Sequence, residues 1–179
     1  MTSPTRYPAS FRAIHWATVL CVLFAYGITY AEALFARGTP ERAMVWWLHI
    51  SVGLLVLAFT LARVGLHGVV RLPPPSPAVT GLTALAAKGA HIALYLLLLA
   101  VPLVGIWLAF LRGNDVSFFG LFSVPSPVAV DRAAAGNVKE VHEWLANGLL
   151  AVAALHAAAA LWHHFVRRDD VLTRMLPGR

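Results

Sequence analysis

Four stretches of this chain are apolar on every face and are separated by short polar segments. They run over Ala13–Ala33, Met44–Leu66, Thr80–Leu111 and Val141–His164. Each is long enough for a helix that crosses a bilayer, which needs about 20 residues. Apolarity all round a helix, rather than along one stripe, suits burial in lipid. The pattern predicts an all-α fold, a four-transmembrane-helix bundle built as a single domain over residues 1–179. Pro8 and Ser10 predict the start of the first helix, with Ser10 as its N-cap. A short loop follows around Leu34–Val45. Trp46 and Trp47 mark the interface end of the second helix. Arg71–Pro77 (RLPPPSP) cannot be helical and reads as a stiff connector. Pro102 predicts a kink in the third helix, and Gly105 a close approach by a neighbour. Arg112–Glu140 reads as a loop in which FFGLF, Phe118–Phe122, lies along the membrane interface.

Composition narrows the class. Apolar residues make up 59% of the chain and charged residues 12%, which excludes an ordinary soluble domain and a disordered one. The formal charge of +6 does not imply nucleic acid, because no basic stripe is interleaved with exposed aromatics. Membrane orientation accounts for it. The N-terminus, second loop and tail carry nine basic residues: Arg6, Arg12, Arg63, Arg71, Lys88, Arg167, Arg168, Arg174 and Arg179. The other side carries five: Arg37, Arg42, Arg112, Arg132 and Lys139. Nine against five predicts N-in, C-in, and an inner-membrane protein in contact with lipid. Ala31-Glu32-Ala33 after an apolar run has the form of a signal-peptide cleavage site. The run is long for that purpose, and cleavage would discard His15. Cys21 is the only cysteine, so neither a disulfide, an iron–sulfur set nor covalent haem attachment can be built.

The histidines carry the candidate chemistry. His142 and His156 stand fourteen residues apart on the fourth helix, about 21 Å along its axis and within roughly 40° of the same face. An imidazole in hydrocarbon is costly without a partner, so two on one inward face mark a site, although a lone membrane histidine is often only a packing residue. On the outer side His49 and His142 lie at membrane depth together. On the inner side His15, His91 and His156 share a level, with His163 and His164 about two turns lower. His67 falls outside the hydrocarbon with no evident role. Depth alone leaves His15 and His91 as alternatives for the inner partner of His156. Two facing imidazoles make a bis-histidine b-type haem, held non-covalently, that passes electrons and has no open coordination position. Zinc would lack third and fourth ligands, and no hydrolase constellation is present. Arg63, Lys88 and Arg167 inside, and Arg42, Arg112 and Lys139 outside, are candidate partners for haem propionates or plain interface anchors.

These residues resemble the bacterial cytochrome b561 family of small four-helix di-haem proteins, over nearly the whole chain. The resemblance rests on IHW at Ile14–Trp16, on His49 with Arg63, and on VTGL followed by His91 and LYLLLLAVPLVG. RGN at Arg112–Asn114, HEWLAN at His142–Asn147, and LHAAAALWHH at Leu155–His164 extend it, as does the terminal RMLPGR. The resemblance implies two haems b, the inner held by His15 and His156 and the outer by His49 and His142. It is strongest to members acting as superoxide:ubiquinone oxidoreductases. It therefore implies superoxide as electron donor at the outer haem, near Lys139 and Arg112, and ubiquinone as acceptor near the inner haem, at His163, His91 and Ser10. The outer side also holds six acidic residues, Glu32, Glu41, Asp115, Asp131, Glu140 and Glu143, so any attraction of an anion is local. The alternative is a related electron-transfer subunit that anchors a partner dehydrogenase or hydrogenase to the quinone pool. An exposed apolar patch in the Phe118–Pro127 loop would favour that alternative, and a cupped basic opening would favour superoxide.

Overall fold

The computed structural model describes residues 6–177; Arg179, counted above among the inner-side charges, lies outside them. The chain forms α1 (Ala9–Gly27), a 3-10 stretch (Ile28–Leu34), α2 (Pro40–Val69) and α3 (Gly81–Leu111). A two-stranded hairpin follows, β1 (Val116–Phe118) and β2 (Phe122–Val124), and then α4 (Arg132–Trp162), which ends in a π-helical turn (His163–Arg167). Four helical segments, Ala9–Leu34, Pro40–Val69, Gly81–Leu111 and Arg132–Arg167, are long and apolar enough to span a membrane. The fold is the predicted helical bundle.

Its polarity is that of a membrane protein. Leu20, Leu23, Leu61, Leu96, Leu103 and Leu155 are all exposed and form the lipid-facing surface. The buried set is small and includes Ser51, Thr18 and Thr60. The two threonines donate to carbonyls one turn back, Thr18 to Ile14 O and Thr60 to Val56 O, so each hydroxyl is satisfied within its own helix.

The helices start where their first turns can be capped. Thr39 accepts from the Arg42 amide with Pro40 at the first helical position, and Asp131 accepts from the Ala134 amide at 2.9 Å. The second cap moves the start of α4 to Arg132, nine residues before the apolar run begins. α1 differs from expectation: Pro8 occupies the N-cap position and makes no side-chain cap bond. Ser10 lies inside the first turn instead, exposed, because the preceding proline already sets the entry. After α3 the chain reverses at Gly113, whose φ of +76° suits glycine and where a Cβ would come within 2.6 Å of Val130.

The loop after α3 contains the unpredicted hairpin, with Phe118 paired to Phe122. Fully buried Ser51 on α2 donates to Ser117 O and accepts from the Phe119 amide, each at 3.1 Å. The FFGLF stretch is thus pinned edge-on to a spanning helix, with Trp47 against Phe119.

α1 packs on α2, α2 on α3 and α3 on α4, whereas α1 and α4 do not pack along their lengths among the described residues. Tyr26 bridges them near the outer end, donating to Asn147 Oδ1 at 2.8 Å. The inner end is closed by the tail. Arg12 donates to Leu176 O (2.6 Å), Trp16 Nε1 to Met175 O (2.8 Å) and the Tyr7 amide to Arg174 O (3.2 Å). Arg174 reaches Pro74 O at 2.7 Å, and Ser76 donates to Asp170 at 2.5 Å. The first and last described residues and the RLPPPSP connector therefore meet on one side.

Candidate functional site

The outer pair is built from α2 and α4. The His49 and His142 ring centres lie 6.1 Å apart. His49 donates from Nδ1 to Ala25 O at 2.8 Å, and His142 from Nδ1 to Val101 O at 3.1 Å. A carbonyl can only accept, so each Nδ1 bears the proton and each Nε2 keeps its lone pair for a metal. The two carbonyls are well placed to accept. Ala25 sits in the last turn of α1, where the helix tightens into the 3-10 stretch, and Val101 sits beside the Pro102 irregularity of α3, its carbonyl using its second lone pair. A ring nitrogen fixed by a backbone carbonyl is the usual support for a metal-binding histidine. The rings border a gap walled by mostly apolar residues of all four helices, including Val22, Val56, Pro102 and Leu149. Gly105 faces the same ring: a Cβ there would lie 3.0 Å from His142 Cε1.

The inner cluster holds three imidazoles. His15 and His156 are 6.5 Å apart by ring centres, and His91 and His156 are 5.3 Å apart. With metal–nitrogen bonds of about 2 Å and about 1.1 Å from nitrogen to ring centre, two opposed ligands on one metal have centres about 6.3 Å apart. The His49–His142 and His15–His156 pairs meet that spacing, and His91–His156 is too tight. Arg63 donates from Nη1 to His15 Nδ1 at 2.8 Å. Its guanidinium lies over the rings of Phe11 (4.7 Å) and Tyr95 (5.7 Å), and its buried Nε has no hydrogen-bond partner. A buried cationic fork with one donor unused fits an anionic acceptor such as a haem propionate.

The other sequence candidates sit apart. Lys139 is exposed and ion-paired to Glu143 one turn on. Arg112 is exposed at the end of α3. Arg42 is engaged by Glu32 and by the carbonyls of Glu32 and Phe35. Lys88 is exposed, and Arg167 reaches Ala78 O at 3.5 Å. His163 donates from Nδ1 to Asp169 Oδ2 at 2.5 Å.

Three inner-end residues escaped the sequence reading. Tyr95 lies one helical turn after His91 and 3.1 Å from His67 Nε2, so His67, on α2, does have a partner on α3. Tyr95 could have been found by its i+4 spacing from His91. Asp169 could not, because it reaches His163 only through a left-handed turn at Arg168 (φ 53°). Trp16 was visible only as part of IHW, and its role in holding the tail depends on the fold. At Asp169 burial opposes ionisation. The hydrogen bond from His163, the Val171 amide and the charges of His163 and Arg167 outweigh it, and hold the carboxyl below its ordinary range.

The chain is similar to known proteins along nearly its whole length. The chain is 36% identical over 177 residues to cytochrome b561 homolog 2 of Escherichia coli K12, covering 97% of this chain and 93% of that one. It is 34% identical over 173 residues to the probable superoxide oxidase CybB of Yersinia pestis, covering 93% of each. It is 33% identical over 185 residues to cytochrome b562 of Cereibacter sphaeroides, covering both fully. The profile of the prokaryotic cytochrome b561 family matches residues 6–178, and the chain belongs to that family.

Proposed function

We propose that this protein carries electrons across the inner membrane from superoxide to ubiquinone through two bis-histidine haems, His49 with His142 outside and His15 with His156 inside. Family membership makes it a multi-pass membrane protein of b-type haem and electron transfer. The observation that carries the finer reading is the pair of ring spacings, 6.1 and 6.5 Å, stacked on one face of α4. Haem bound there supplies one-electron transfer with both axial positions filled. The chain's own residues fix the ligands: Ala25 and Val101 orient the outer rings, and Arg63 offers its free Nε–H to a propionate.

On the outer side Lys139 and Arg112 are the groups that would draw the superoxide anion. A relative named as a probable superoxide oxidase supports that donor. On the inner side His163, His91 and exposed Ser10 are the candidates around ubiquinone. Two superoxide anions, one quinone and two protons give two molecules of oxygen and one quinol.

One observation favours the second reading, a subunit that carries electrons for a partner protein. The hairpin tip exposes Leu121 (79%) and Phe122 (55%) beside Phe119, an apolar patch in the loop where a partner would dock. Glu143 also offsets Lys139, which weakens a basic opening.

Rapid mixing of the oxidised, haem-loaded protein with superoxide, with and without a short-chain ubiquinone, tests the choice. Fast haem reduction drained by quinone is the expected result. Haems that ignore superoxide yet exchange electrons with quinol would make the protein a carrier subunit.

A further inference from the structure

His163 follows His156 by seven residues on α4, which places it on nearly the same face and about 10 Å nearer the inner surface. It therefore sits beneath the inner histidine cluster. The helix then loosens into the π turn His163–Arg167, and Arg168 in the left-handed region turns the chain back. The Asp169 amide now donates to His163 O at 3.2 Å. Its carboxylate accepts from His163 Nδ1 at 2.5 Å and, through the other oxygen, from the Val171 amide at 3.1 Å. The two side chains are 14% and 13% exposed, so the pair is shielded but touches the surface. A left-handed non-glycine residue costs free energy, and the contact it secures here is this one.

We propose that Asp169 is the positioning residue for proton delivery at the inner site: it holds His163 with Nδ1 as its donor, leaving Nε2 to pass protons to a quinone carbonyl. This rests on the reading of quinone reduction at that end. For each proton delivered, the Nε2–H bond breaks and an O–H bond forms on the quinone oxygen as an electron arrives from the donor. Nε2 then takes its next proton from water on the inner side, while Nδ1–H stays bonded to the carboxylate. The carboxylate sets a negative charge against the ring at 2.5 Å, which steadies the ring while it holds the proton it passes on. Other charged and titratable groups at this end include His164, Arg167 and Arg168 at the helix end, Asp170 and Arg174 on the tail, Arg6 and Arg12 at the start of the chain, and Arg71 and Lys88 around the second loop. Asp170 is paired with Arg174 and bonded to Ser76.

The test uses haem-loaded protein, reduced and then mixed with a short-chain ubiquinone across the pH range, for wild type, Asp169→Asn and Asp169→Ala. Asp169→Asn retains an acceptor but loses the charge. Its haem reoxidation should slow about tenfold or more near pH 8 and only a few-fold near pH 6, with unchanged haem content. In Asp169→Ala the ¹⁵N spectrum of His163 in the reduced, diamagnetic protein should also switch from the Nδ1–H to the Nε2–H tautomer. Wild-type rates at every pH in both variants, or an unchanged tautomer in Asp169→Ala, would overturn the proposal. If Asp169→Ala fails to assemble, Asp169→Asn decides by its pH profile. Wild-type haems that pass no electrons to ubiquinone would sink the parent reading instead, and the tautomer shift would still report the pair by itself.

Discussion

Arg63 on α2 donates to Nδ1 of His15 on α1 across 2.8 Å, so the nitrogen that a haem-binding histidine ordinarily keeps protonated is here an acceptor. The outer histidine pair shows the opposite arrangement, with Nδ1 donating to carbonyls at both His49 and His142. For His15 to bind iron through Nε2, either Arg63 turns to another acceptor or the ring gives up its second proton. In the first case the guanidinium charge would stay uncompensated beside a haem bound at His15 and would favour its reduced state, whereas in the second the imidazolate would offset it. Replacing Arg63 by Gln should lower the inner haem potential by an amount of order 50 mV and leave the outer one in place. A redox titration followed by absorbance would read both, and an unmoved inner potential would place the guanidinium away from the haem.

The inner ligand choice is testable by truncation. His15→Ala should cost one of two haems, whereas His91→Ala should keep both, because the 5.3 Å spacing of His91 from His156 is too short for opposed ligands. Haem-to-protein ratios measured after purification check this. A single haem in His91→Ala would reverse the assignment.

Gly105 gives the outer site its clearance. Alanine at this position would press on the His142 ring at 3.0 Å, and valine would add bulk that the ring cannot avoid by small shifts. Outer-haem occupancy should fall modestly in Gly105→Ala and more than about twofold in Gly105→Val, with the inner haem retained.

Lys139 and Glu143 offset each other at the outer end. If superoxide is the donor, Glu143→Gln should raise its second-order rate a few-fold at low salt and Lys139→Gln should lower it, both effects shrinking as salt is added. Equal rates in all three proteins would shift weight to the docking reading of the hairpin.

The tail should also respond to acid. Asp169 has its pKa depressed in the folded protein by His163, the Val171 amide and Arg167, against the opposing effect of burial. Its contribution is thus fully present above the ordinary carboxylate range, near pH 4, and is lost as pH falls through the lower folded value. Protease sensitivity of the tail should rise below about pH 4, and in Asp169→Asn that pH dependence should be largely absent.

The four helices and the His49–His142 pair were legible because lipid imposes an all-round apolar pattern and fixes depth by residue count. At the inner level depth leaves His15 and His91 side by side as partners of His156, and their different ring spacings, 6.5 and 5.3 Å, exist only in the folded chain. Local capping and loop geometry escaped. AAAGNVKE after Arg132 reads as loop by composition, yet Asp131 caps it into helix. The FFGLF hairpin depends on a single serine of a distant helix. The His163–Asp169 contact depends on one left-handed residue, and no periodicity signals that.

The bonds that seal the inner end join residues 164 and 159 positions apart, Arg12 to Leu176 and Trp16 to Met175. Contacts of such long sequence separation carry a larger loop-closure cost than those within one helix. The helices can reach their places in the bilayer before this seam is sewn, and the inner mouth stays ajar during that interval. A cofactor arriving from the inner compartment has its opportunity then, so the order of assembly is written into the distance between α1 and the tail.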